Sequence, residues 1–403
     1  SFNCFLFMLI HVVGSQKKGN LLVRFFIVGN ASSVWIKEYV KQVHIKNNHE
    51  VYLTVFDKSN LIYKEEYDEM GVKLVFLGKN NSKVEKIRKF INLFIFACKH
   101  KKRNLVDIIE IQGPPHNILA PILGRLIRFM NCKAFIMFWG SDILAIPDKG
   151  VKKLEKVICE ATLINRPGLQ TYKTFVNYYG YKYEGLFTKK SLRFGTLALP
   201  WIDKKWNELG KSGCKNKLGI DVGKTCIAIG YNGNTRHQHI KVLEILNKLS
   251  EQAKAKIHLL FHFVGCENES YKDTVTHMLE QSSFSYTFIE KQLNFDDIAI
   301  LRLATDIFIH AQVTDGLSGS IRECLYSGVT VVNPYWIQYD ELKKLGADYI
   351  EYETFDQLKE IVNQYMQGNI EVDANKNKKI IYENYAWDAL SDDWIKAFDQ
   401  MML

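Results

Sequence analysis

The feature that most constrains this chain is a repeated alternation of continuous apolar runs with stretches of helical spacing. Residues 22–30 form an apolar run closed by Gly29 and Asn30, and residues 32–48 follow with Val34, Tyr39, Val40 and Val43 at helical spacing. Segments 50–57, 72–78, 106–113 and 133–140 repeat the strand half of the pattern. A strand apolar at every position is buried on both faces, and such strands alternating with helices make a parallel, doubly wound sheet. The series breaks at the polar, Gly-containing segment 203–217 and begins again near residue 225. The chain is read as α/β, with two doubly wound domains in series facing a cleft. The expected parts are an extension over residues 1–21, a first domain over 22–202, a linker over 203–217, a second domain over 218–383 and an aromatic C-terminal helix over 384–403.

Composition narrows the function classes. With 403 residues, 47% of them hydrophobic and 24% charged, disorder, collagen and low-complexity readings are excluded. The 53 Lys and Arg against 44 Asp and Glu leave a charge of +9, which suits phosphate-bearing small molecules, nucleic acid or an anionic membrane surface. The basic residues are spread out and no nucleic-acid motif occurs, so no nucleic-acid partner is expected. Eight scattered cysteines lack metal-ligand spacing and read as reduced, mostly buried thiols of a cytoplasmic protein. No apolar run approaches the ~18 residues of a membrane span. Residues 2–13, which include Asn3 and His11, lack the flanks of a cleaved signal and read as upstream sequence joined through a linker at 14–20.

The most informative stretch is residues 306–334, DIFIHAQVTDGLSGSIRECLYSGVTVVNP. A strand ends near His310, the small-residue loop TDGLSGS follows, and a helix carries Glu323 toward the next strand. Small residues let backbone approach a ligand, and the N–H groups at a helix start favour an anion. Asp315 and Glu323 offer two carboxylates to the hydroxyls of one extended ligand. A plain loop acid and a solvated helix Glu is the competing reading.

This stretch resembles the retaining glycosyltransferases of family 4, whose pattern EGFGLxxLEAxAxGxPV it follows with Asp315 for the first Glu and Ser318 for the second Gly. The resemblance implies the GT-B fold of two Rossmann-like domains, with the C-terminal helix returning to the first. It also implies transfer of a sugar from a nucleotide-diphosphate donor with retention. In the resembled family the first acid and the following backbone hold the donor sugar and the second acid holds the ribose. Carried over, Asp315 is a catalytic-site residue, and Gly316, Leu317, Ser318, Gly319, Ser320 and Glu323 bind the donor.

Three further turns fall at strand ends. Residues 227–246 run from a strand through a Gly/Asn loop into a helix, a turn suited to a diphosphate. The family's usual Arg and Lys are replaced there by about Tyr231 and His237, leaving Asn232, Gly233, Arg236 and His237 as donor-binding candidates, with Arg236 the nearest substitute cation and His237 and His239 as donors when protonated. Segment 135–144 resembles the HGxD turn of many GT-B enzymes with Trp139 in place of His; Asp142 is either a second catalytic-site acid or a helix cap. Gly29 and Asn30, with Trp139 and Gly140, are expected on the acceptor side, and Ser32 or Ser33 is expected to cap the first helix. Segment 83–103 is an apolar helix with basic ends, either a core helix or one lying on anionic lipid.

The resulting expectation is a glycosyltransferase moving a sugar to a saccharide or lipid-linked saccharide, without metal or other cofactor, in contact with a nucleotide-sugar donor and peripherally with the inner face of a membrane. Its rivals are a GT-B sugar-nucleotide epimerase and a non-catalytic carbohydrate-binding protein.

Overall fold

The computed structural model describes residues 22–80 and 82–403; the extension at 1–21 lies outside the described residues. Two compact units emerge among the described residues, those up to 192 with 391–403 and residues 193–390.

In the first unit, strands β1 (Arg24–Val28), β2 (Glu50–Val55), β3 (Lys73–Phe76), β4 (Ile108–Gln112), β5 (Lys133–Met137) and β6 (Leu163–Ile164) form one sheet in the order 3-2-1-4-5-6. All pairings are parallel, with Phe25 opposite both Val51 and Ile108. β4 is buried at all five positions, Glu110 and Gln112 included, as a strand covered on both faces requires. The strand order reverses between β1 and β4, so ligands are expected beyond the C-terminal ends of these two strands.

The second unit repeats the design. Strands β7 (Thr225–Ile229), β8 (Ile257–His262), β9 (Ser285–Ile289), β10 (Ile307–Ile309), β11 (Thr330–Pro334) and β12 (Ile350–Tyr352) lie in the order 9-8-7-10-11-12, all parallel. Each unit is thus a Rossmann-like doubly wound sheet, as expected.

The segment expected as a linker, 203–217, is instead the body of the helix Leu199–Lys217, kinked at Gly210 (φ 59°). Leu199, Ile202 and Cys214 are buried, and Trp201 meets Phe295 at 4.8 Å, so a sparse apolar stripe suffices to seat an otherwise polar helix. The boundary between units falls at 192/193, ahead of it. The C-terminal aromatics form the helix Trp387–Met402, whose residues from 391 belong to the first unit. Trp394 and Phe398 are buried there, with Phe398 4.9 Å from Phe25 and Trp394 5.9 Å from Phe135. Burying a Phe side chain stabilises by about 1.5–3 kcal/mol.

The described cysteines are free, but only Cys214, Cys226 and Cys324 are buried; Cys98, within the helix Lys83–Arg103, and Cys159, at the C-cap of the helix Asp148–Ile158, are exposed. No helix among the described residues is long and apolar enough to cross a membrane.

Candidate functional site

In the second unit the two glycine-bearing turns that the sequence singles out come together at the C-terminal ends of β7 and β10. The turn after β7 is built by consecutive Asx contacts: the Asn232 side chain accepts from the N–H of Asn234 at 2.9 Å, and the Asn234 side chain from that of Arg236 at 2.9 Å. Val313 N–H donates to the Arg236 carbonyl at 3.0 Å, and the Arg236 guanidinium reaches the Thr314 hydroxyl. Tyr231 completes the junction, its hydroxyl 2.8 Å from Gln312 Oε1 and 3.1 Å from Asp315 Oδ1.

Asp315 is held from three sides. Besides Tyr231, the Tyr339 hydroxyl donates to Oδ2 at 2.5 Å and the Ser318 N–H at 2.9 Å. A carboxylate offers about four acceptor positions, so room remains for one further hydroxyl. Burial, and then the Asp315 charge, push the Tyr231 and Tyr339 phenols above their usual range, so both stay protonated donors. Leu317 in the same loop takes a left-handed φ of 68°, an unusual conformation for a branched residue that stores strain at the turn.

Glu323 sits in the helix Gly319–Tyr326, whose N-cap position is Ser318 without a side-chain cap bond, and is buried. Its Oε2 accepts from Arg302 Nε at 3.0 Å, and Arg302 Nη2 donates to the Ser320 hydroxyl at 2.8 Å. The helix start, the acid and the guanidinium are therefore one network. One residue earlier, where the family pattern has Leu, stands Arg322. It is 7% exposed, donates to the Phe194 carbonyl at 2.8 Å, lies 5.3 Å over the Tyr385 ring, and its Nε has no partner. No carboxylate lies within ion-pair distance of it among the described residues. Asp315 and Glu323 against Arg236, Arg302 and Arg322 leave the site one positive charge in excess.

His237, expected as a donor when protonated, is fully buried with neither ring nitrogen hydrogen-bonded. Burial, reinforced by His239, His310 and Arg236, lowers its pKa to about 2, and burial lowers that of His239 to about 3. Both rings are therefore neutral near pH 7, and the expectation of imidazolium donors is corrected. Gly233 is a packing glycine, since a Cβ there would fall 2.7 Å from Cys266 Cβ, while its N–H donates to the Val264 carbonyl. At Gly230, with φ +64°, a Cβ would fall 2.8 Å from His239 Nε2.

In the first unit, Asp142 accepts from the N–H groups of Trp139 (3.1 Å) and Gly140 (2.9 Å). Burial raises its pKa to about 6 against the pull of those bonds. Asp142 lies within the short helix Ser141–Leu144 and reaches back to the two residues before it, which fixes the turn on which Trp139 stands half-exposed, its indole donating to Gln112 at 3.0 Å. At Gly29 the backbone N–H and carbonyl both bond the Thr54 hydroxyl, and Asn30 Oδ1 accepts from Ser32 N–H. Ser33 occupies the N-cap position of the first helix without a side-chain cap bond, and the Ser32 hydroxyl goes to the Asn60 carbonyl, so neither serine caps through its side chain.

Sequence reasoning missed Arg302, Tyr339 and Arg322. Only Arg322 carried a local signal, a cation inside an otherwise apolar helix stretch.

No protein-family model matches the chain, and no curated protein matches its sequence. Solved structures do. The glycosyltransferase from Rickettsia africae superposes with a TM-score of 0.71 at 13% identity, over 95% of this chain and 99% of that one. HepE from Anabaena, in complex with UDP and glucose, gives 0.69 at 11% identity over 94% and 100%. The UDP-GlcNAc 2-epimerase of Neisseria meningitidis gives 0.57 at 10% over 94% and 99%. These likenesses, with the two 3-2-1-4-5-6 sheets and the C-terminal helix that ends in the first unit, identify the fold as GT-B.

Proposed function

We propose that this chain is a glycosyltransferase that moves a sugar from a nucleotide-diphosphate donor to a saccharide or lipid-linked saccharide, with retention, in polysaccharide or glycoconjugate biosynthesis. The observation that carries this reading is the junction of the 231–237 turn with the 312–320 loop, where two carboxylates, a helix start and three guanidinium groups, two of them buried, converge. The bound UDP, and in another complex UDP-glucose, of the structurally similar HepE favour UDP as the carrier.

In this proposal Asp315 accepts from a sugar hydroxyl through its remaining lone pairs, and Glu323 takes a ribose hydroxyl on the carboxylate oxygen that Arg302 does not use. Backbone of Gly316, Leu317, Ser318, Gly319 and Ser320 faces the diphosphate. Arg236 and Arg322 supply the charge that the family's usual Arg and Lys would, while Asn232, Gly233 and His237 shape the turn. The bond from the anomeric carbon to the phosphate oxygen breaks, the carbon bonds the acceptor hydroxyl oxygen, the hydroxyl proton passes to the departing phosphate oxygen, and the leaving diphosphate is stabilised electrostatically as it gains charge. Asp142 keeps Trp139 and Gly140 in place on the acceptor side with Gly29 and Asn30. No metal enters the proposal, and free cysteines fit a cytoplasmic setting.

A thermal-shift screen against nucleoside diphosphates and their sugars tests it. UDP at a hundred times its Kd should add about 2.7 kcal/mol to stability, with the shift lost in Glu323→Ala and sugar transfer lost in Asp315→Ala. Interconversion of the donor sugar without acceptor would favour the epimerase reading, which the Neisseria likeness keeps open; no shift with any nucleotide would favour a non-catalytic carbohydrate-binding protein.

A further inference from the structure

We infer that the outer face of the helix Lys83–Arg103, in the first unit, docks onto an anionic lipid bilayer. This helix is apolar on two opposite faces. Leu93, Phe96 and Ala97 point inward and are buried, which accounts for one stripe. Val84, Ile87, Ile91, Phe94 and Ile95 form the other, with exposures from 44% at Ile95 to 70% at Val84. At 100° per residue these five positions fall within about 100° of arc and run three turns along the axis. A core helix explains the buried stripe and leaves the exposed one without a partner among the described residues. The Phe94 ring continues the patch onto the neighbouring helix Leu119–Met130, meeting Phe129 at 5.6 Å.

The charge around the stripe selects its partner. The helix carries eight Lys and Arg against one acid, Glu85, and that acid is buried. Lys99, Lys101, Lys102 and Arg103 are exposed at the C-terminal end, beside the stripe, and Arg125 is exposed on the adjoining helix. The Lys101 ammonium lies 4.6 Å over Phe129, stem against apolar surface and head outward. A second copy seated on this face would bring two such cation clusters together with no acid between them. An anionic bilayer takes up the apolar side chains at the acyl boundary and neutralises the cations at the headgroups. The helix lies on the membrane, since no helix among the described residues is suited to cross one.

The test is flotation of the full chain with phosphatidylcholine vesicles, with and without phosphatidylglycerol. The chain should float with the anionic vesicles only, and binding should fall as salt is raised. The double variant Ile91→Glu/Phe94→Glu should lower the bound fraction by roughly tenfold or more while its melting curve matches the parent, because both positions are exposed. Lys101→Gln/Lys102→Gln should weaken binding and flatten the salt dependence. Failure of the parent chain to float, or undiminished flotation of the Glu variant, overturns the inference. So does a dimer in sedimentation that the Glu variant dissolves in a chain that does not float. The stripe is remote in sequence from the donor turns, so this result stands or falls separately from nucleotide binding.

Discussion

Asp315 and Glu323 are recognisable from a single stretch of sequence because a loop acid and a helix acid eight positions apart need only local structure to be set. Their partners are not. Tyr339 lies 24 positions beyond Asp315, and Arg302 lies 21 positions before Glu323, each on a different element. The buried Arg302–Glu323 pair makes a sharp prediction. Removing one member leaves the other charged and dry, which costs about 3–5 kcal/mol, so Arg302→Met should lower the urea midpoint strongly. The Arg302→Met/Glu323→Met double variant should recover part of that loss. If the single variant unfolds at the parent midpoint, the pair contributes nothing to the folded site.

At the scale of elements, strands are the legible part. Mostly apolar runs such as those of β4 and β8, buried at every position although they carry Glu110, Gln112, His258 and His262, have one stable placement, the middle of a covered parallel sheet. Helices with thin apolar stripes are not legible in the same way. Residues 203–217 read as a linker because lysines and glycines dominate them, and tertiary contacts make a helix of them, with the facing helix Phe295–Ala304, with Asp306 through Lys211 and Lys215, and with Tyr326 and Lys378 through Asp203. Close helix contacts are equally silent. Gly124 in the helix Leu119–Met130 lies against the helix Asp148–Ile158 so tightly that a Cβ would come within van der Waals overlap of the Lys156 carbonyl. Gly124→Ala should therefore cost about 1–3 kcal/mol, although Ala favours an isolated helix. A calorimetric melting temperature at or above that of the parent chain would show that the two helices part freely.

The whole molecule carries its pH response in buried imidazoles. His237 and His239 have folded pKa values near 2 and 3, lowered from 6.5 first by burial. The unfolded chain therefore binds more protons than the native one below pH 6.5, and stability declines as pH falls. Each contributes a loss of about 1.4 kcal/mol per pH unit between 6.5 and its folded value. Melting temperature should drop between pH 7 and pH 5, and His237→Phe/His239→Phe should shallow that drop; an unchanged pH slope in the variant would assign the response elsewhere. By itself the sequence determined the two parallel sheets, the aromatic C-terminal helix and the loop–helix frame of the 231–237 and 312–320 turns, because period and apolarity act over neighbouring residues. Tertiary structure alone decided that the 203–217 segment is helical, that His237 is neutral, that Arg302 binds Glu323 and that the helix Lys83–Arg103 shows a second apolar face. Burial and charge pairing depend on residues far apart in the chain, and only the packed fold sets the dielectric and the partners that each side chain meets.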